Sequence, residues 1–169
     1  EYAPSNVVVD PVMYAKNGCP LMQPSSVAAF IDLILPKAFL LTPNLPEAER
    51  ICGITIQTPD EMREAARRIH QMGCPNVLIK GGHLDGDALD ILYDGTDLHS
   101  YTSKRIPTKH THGTGCTLSS AIASDLALGF PIHQAVERAK EYVFTAIEHA
   151  PGLGKGNGPL HHFYQLYHK

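Results

Sequence analysis

Four short constellations in this chain carry residue types that can do chemistry. Asp10 precedes Pro11, Asn44 and Glu47 stand three residues apart, and Lys80 runs into Gly81-Gly82. The fourth, His112-Gly113-Thr114-Gly115-Cys116, leads into the small residues Thr117 to Ala123. Glycine reaches positive φ without steric cost, so Gly113 and Gly115 suit a tight turn that presents successive backbone N–H groups. A helix starting at about Gly115 adds its positive end to that turn, making a place for phosphate or another anion. An acid, an Asn-x-x-Glu, a lysine and an anion-binding turn are the parts of phosphoryl transfer. That reaction needs positioning and charge neutralisation more than covalent help.

Each constellation also has a plainer account. Lys80 is either a point charge for nucleotide phosphates or a surface lysine ending a strand. Glu47 could hold Mg2+ directly or through water, or simply favour a helix N-terminus. Asp10 before proline could be a turn former. Cys116 would take a proton from an acceptor hydroxyl as a thiolate, or pack as a small neutral thiol. His110, His112, His161 and His162 raise zinc, but no cysteine accompanies them at finger spacing.

The elements that must position these groups follow from the apolar pattern. Asn6 to Asp10, Ala38 to Thr42 and Asn76 to Lys80 are short, mainly apolar runs, as expected for strands covered on both faces. Between the first two, Val27, Phe30, Ile31, Ile34 and Leu35 follow a helical period, with Ser25 or Ser26 as cap and Pro36 as stop. Pro46 opens a helix that Gly53 closes, and Thr58-Pro59-Asp60-Glu61 is a capping box for another ending near Gly73. Leu89 to Tyr93 and His99 to Tyr101 form an exposed hairpin through Asp94-Gly95, and Lys104-Arg105-Ile106 a further strand. Helices then run from the glycine turn to near Gly129 and from Pro131 to about Ala150. The Gly-rich segment 152–158 is a loop, able to fold over a nucleotide. This alternation predicts an α/β layered fold with a mainly parallel sheet flanked by helices. Ligands in such sheets sit beyond the carboxyl ends of the strands, where Asp10, Thr42, Asn44 and Lys80 fall.

Composition sets limits. The 169 residues fit one domain, 1–169, and a net charge of −3 gives no electrostatic case for nucleic acid or an anionic membrane. No apolar run approaches the ~18–20 residues of a membrane span. Cys19, Cys52, Cys74 and Cys116 lack any C-x-x-C pair and read as reduced cytoplasmic thiols. The chain starts Glu1-Tyr2-Ala3-Pro4 without Met and turns almost at once into a strand. That start fits a fragment or the product of a chain break, either part of a longer protein or completed by a second chain.

Asp10-Pro11-Val12-Met13, Thr42-Pro43-Asn44-Leu45-Pro46-Glu47-Ala48, Lys80-Gly81-Gly82-His83, His112 to Ser119 and Gly156 to Phe163 occur in that order. Together they resemble the hydroxymethylpyrimidine/phosphomethylpyrimidine kinases of thiamine biosynthesis, in the ribokinase-like superfamily. The resemblance implies two successive ATP-dependent phosphorylations, on 4-amino-5-hydroxymethyl-2-methylpyrimidine and its monophosphate, by a cytoplasmic homodimer. It implies that Gly113, Thr114 and Gly115 form an anion hole and that Cys116 stands where related kinases carry an Asp base. Lys80, Asn44 and Thr42 would serve ATP, Glu47 and Asp10 would serve Mg2+, and Val12 would line the pyrimidine pocket. It also implies a missing N-terminal portion that supplies sheet strands and part of that pocket. The alternatives are a pyridoxal kinase of the same superfamily, which shares the Gly-Thr-Gly-Cys pattern, and a nucleotide-binding but inactive fragment.

Overall fold

In the computed structural model, residues 4–15, 18–82 and 86–167 are described. Glu1-Tyr2-Ala3, and His83 of the Lys80-Gly81-Gly82-His83 block, lie outside the described residues. The chain forms two compact units, Glu1–Thr102 and Ser103–Lys169.

The first unit is built on a sheet of order β1-β2-β3-β4-β5: Val8–Val9, Leu40–Leu41, Asn76–Lys80, Ala88–Tyr93 and Leu98–Ser103. β1, β2 and β3 run parallel, with Val8 opposite Leu40 and Leu40 opposite Asn76. β4 is antiparallel to β3 and pairs Lys80 with Asp90. The expected hairpin exists, but its first strand is not exposed, since Asp90, Ile91 and Leu92 are buried. Helices α1 (Pro24–Ala29), α2 (Leu45–Cys52) and α3 (Pro59–Gln71) contribute Val27, Ala48, Ile51, Met62 and Ile69 to one core with Leu41, Val77, Ile79 and Ile91 of the strands. Leu40, Leu78 and Leu92 alternate with these and are equally buried, which accounts for the unbroken apolar runs.

The start and stop signals in the sequence coincide with the ends of α2 and α3. Asn44 and Thr58 each make a full capping box, with Glu47 and Glu61, and Gly53 ends α2 at φ 72°. A cap is worth about 1 kcal/mol, whereas each fully buried Leu or Ile is worth about 1.5–3 kcal/mol. Packing therefore holds these helices, and the caps decide where they begin.

α1 departs from expectation. It begins at Pro24 with Gln23 as N-cap and no side-chain cap, so neither Ser25 nor Ser26 does that work. Phe30–Ile34 then widens into a π turn, in which the Leu35 N–H bonds the Phe30 carbonyl, and Leu35–Lys37 tightens to 3-10 geometry. The extra residue rotates the inward stripe, leaving Ile34 44% exposed and Leu35 fully buried. Pro36 does not stop the helix, because it occupies the first turn of the 3-10 segment, where a missing N–H costs nothing.

The second unit is helical: α4 (Thr114–Ala127), α5 (Ile132–Glu148) and the short α6 (Tyr164–Tyr167). Leu118, Ile122 and Leu126 of α4 and Ala135, Val136 and Ala139 of α5 are its buried stripes. Lys104-Arg105-Ile106 is not a strand. Pro107 has no N–H to give to a ladder, which argues against strand pairing there.

Candidate active site

The carboxyl ends of β1, β2 and β3 bring together most of the residues singled out in the first unit. Lys80, the last residue of β3, extends its Nζ to Asp10 Oδ1 at 2.8 Å, and the two side chains are only 13% and 14% exposed. The Lys80 N–H donates to the Pro43 carbonyl at 2.8 Å, and Asn44 bridges Lys80 in parallel register. Sheet pairing thus sets Lys80 beside the start of α2. Thr42 is fully buried, with its hydroxyl 3.3 Å from the Val9 carbonyl, and joins β2 to β1 at this same end.

Asn44 and Glu47 face each other as the capping box requires. The Glu47 N–H donates to Asn44 Oδ1 at 3.0 Å, and the Asn44 N–H donates to Glu47 Oε2 at 2.9 Å. The other carboxylate oxygen of Glu47 accepts the Met13 N–H at 3.0 Å. Glu47 is 2% exposed. Val12, one residue before that contact, has φ 38° and is 42% exposed. A β-branched residue at positive φ costs on the order of 1–3 kcal/mol and persists only where its surroundings over-determine it.

Mg2+ takes hard oxygen donors and keeps several of its waters. Asp10 fits such an ion, being a carboxylate with residual exposure at the strand ends. Glu47 offers less, because both of its oxygens already accept backbone N–H groups and the side chain is almost wholly buried.

Sequence reasoning missed two neighbours of this cluster. The buried Asp90 accepts the Gly81 N–H at 3.0 Å and fixes the turn after Lys80. A charge set within the apolar run Leu89 to Leu92 was the available signal. Arg50, one turn after Glu47 on α2, donates to the Tyr14 hydroxyl at 2.8 Å and lies over its ring.

The second unit holds the glycine turn. Gly113 has φ 84° and serves as N-cap of α4, which starts one residue earlier than expected. No side chain caps this helix end. Thr114 and Thr117 turn their hydroxyls to the Thr111 and Gly113 carbonyls, leaving the first turn walled by small residues. Cys116 is exposed and lines a groove of about 670 Å3 between α4 and α5, which Ser120, Tyr142 and His162 also line. The Gly-rich segment is tied to the turn's approach. The Gly158 N–H donates to His110 Nδ1 at 3.2 Å, and His112 pairs with Pro159. A side chain at 158 would strike the His110 ring, so glycine is required there. His162 meets Tyr142, and His161 lies edge-on to Tyr164. Among the described residues, the four histidines weighed for zinc do not gather into one donor group.

None of the four cysteines is in a disulfide. Burial pushes the Cys74 thiol up to about 11 and raises Cys52 as well.

The model of the phosphomethylpyrimidine kinase family matches residues 1–161. The chain is 52% identical over 163 residues to the thiamine biosynthesis bifunctional protein ThiED of Geobacter sulfurreducens, covering 96% of this chain and 33% of that protein. It is 45% identical over 165 residues to the hydroxymethylpyrimidine/phosphomethylpyrimidine kinase of Bacillus subtilis, covering 96% of this chain and 61% of the relative. Among solved structures, the ADP complex of Bacillus subtilis pyridoxal kinase superposes with TM-score 0.86 at 37% identity, covering 96% of this chain and 61% of the other. The chain thus spans less than two thirds of the length of the relatives it matches.

Proposed function

The chain belongs to the phosphomethylpyrimidine kinase family, and from that premise we propose that it transfers the terminal phosphoryl group of ATP to hydroxymethylpyrimidine and then to its monophosphate. The observation that carries this reading is the Asp10–Lys80 pair set beside the capped start of α2 at the carboxyl ends of the parallel strands. The named activities of the relatives supply the acceptor. The two units are taken as parts of one kinase domain, cytoplasmic and homodimeric, acting on a small molecule.

In this proposal Lys80 meets the nucleotide phosphates, with Thr42 and Asn44 shaping the strand ends that face them. Gly113, Thr114 and Gly115 receive the migrating phosphoryl group through the N–H groups of the α4 start. Cys116 accepts the proton of the acceptor hydroxymethyl group as its oxygen bonds to phosphorus and the bond to the ADP oxygen breaks. Asp10 would hold Mg2+, which when bound neutralises charge on the phosphates. Val12, exposed in the loop after β1, would border the pyrimidine.

A pyridoxal kinase is the second reading, favoured by the fit to the Bacillus subtilis enzyme. The deciding assay is ADP release from Mg-ATP with hydroxymethylpyrimidine and pyridoxal offered in parallel. Release that depends on hydroxymethylpyrimidine supports the first reading, and release with pyridoxal alone replaces it with the second. ATP binding without release on either alcohol supports an inactive nucleotide-binding fragment.

A further inference from the structure

Glu47 is tied to the backbone through both of its carboxylate oxygens. It is 2% exposed, and its two oxygens accept N–H groups from different parts of the chain. One belongs to Asn44 at the start of α2, the other to Met13, thirty-four positions away from Glu47 in the loop after β1. A single carboxylate therefore joins the helix start beside Lys80 to the backbone that carries Val12. That loop is held on each side of its positive-φ residue: Asp10 is paired with Lys80, and Met13, 1% exposed, is fixed by Glu47. Arg50, on the same side of α2, adds a second hold one residue further on through the Tyr14 hydroxyl.

We propose that Glu47 is a positioning residue: its carboxylate straps the Val12–Met13 backbone to the start of α2 and so fixes the acceptor side of the site relative to the phosphate side. The inference rests on the kinase reading for what each side binds, but the strap itself is a statement about two N–H groups. Only a carboxylate suits the position. A glutamine of the same shape offers one acceptor oxygen and turns an NH2 group toward the remaining N–H, so one of the two bonds must break. An aspartate is too short to reach both.

The test uses the full chain and its Glu47→Gln and Glu47→Asp variants. Backbone amide exchange, read at Met13 and Asn44, should be slow in the unsubstituted protein and at least tenfold faster at one of the two in Glu47→Gln. In steady-state kinetics, KM for hydroxymethylpyrimidine should rise tenfold or more in Glu47→Gln. The Mg2+ concentration for half-maximal rate and KM for ATP should rise by a clearly smaller factor. An Arg50→Met change should raise the same KM less, without moving the Met13 exchange rate. A Glu47→Gln protein that needs far more Mg2+ while KM for the alcohol is unchanged would overturn the proposal and make Glu47 an ion-contacting group. Unchanged exchange at both amides would overturn it as well. Absence of turnover in the unsubstituted chain would count against the kinase reading, and the strap would then stand or fall on the exchange rates alone.

Discussion

At the scale of single residues, the site pairs groups whose partners say what each is for. Lys80 is held at 2.8 Å by Asp10, so it is neither a free surface cation nor buried beyond reach. A charge-assisted contact to phosphate is worth about 1.5–3 kcal/mol, so Lys80→Ala should weaken Mg-ATP binding roughly 10–100-fold in calorimetric titration. Unchanged affinity would reduce Lys80 to a partner of Asp10. Cys116 is exposed and lines its groove, in contrast to the buried Cys52 and Cys74. As general base its loss should cost ~10²–10⁴ in kcat, with ATP affinity kept, when Cys116→Ser is assayed. Near-normal turnover would make the thiol a lining group only. The plain account of Glu47, a helix-start glutamate, holds in the structure, where the capping box engages one carboxylate oxygen and Met13 the other.

At the scale of elements, capping chemistry was the most legible feature of the sequence. The Thr58–Glu61 box appears where its spacing put it, because a cap is a local arrangement that four residues specify by themselves, and the Asn44–Glu47 pair forms a second one. Glu61 accepts N–H groups from Gln57 and Thr58, and these hold its carboxyl below the ordinary value, the Gln57 bond foremost. A carboxyl lowered in the folded state adds stability above the ordinary carboxylate range, and that contribution is lost as pH falls through it. Denaturation midpoints of the protein and of Glu61→Gln should therefore differ near neutral pH and converge as the pH falls below the ordinary carboxylate range. A gap that persists in acid would show that the charge of Glu61 is irrelevant to α3. What the sequence concealed was non-local. The burial of β4 depends on its antiparallel pairing with β3, and the second bond of Glu47 depends on a residue thirty-four positions distant. The π turn in α1 was hidden for another reason, because the period of the apolar residues does not distinguish Ile34 from Leu35 as the inward one.

At the scale of the whole molecule, two compact units meet in sequence at residues 102 and 103, and the segment that follows, 104–109, has neither helix nor strand. Lys104, Arg105 and Lys109 in it are exposed. Dilute trypsin should make its first cut there, leaving fragments that start at Glu1 and end at Lys169, measurable by intact mass. Initial cuts inside α3 or α5 would show that the described helices open before the connector does. The α/β class and the strand-end convergence in the first unit were legible because strand runs and proline or glycine stops repeat through it. The division into two units was not, since nothing in the composition changes at residue 103. Finally, the length of the chain is negotiable at one place inside a helix. The wide turn at Phe30–Ile34 holds one residue more than a regular turn needs. Deleting Ile34 would let the Leu35 N–H reach the Phe30 carbonyl at ordinary α-helical spacing, with Leu35 still facing the core. In a library of single-residue deletions, survivors within helices should cluster at this turn, which marks where relatives can differ by one codon without disturbing the strands on either side.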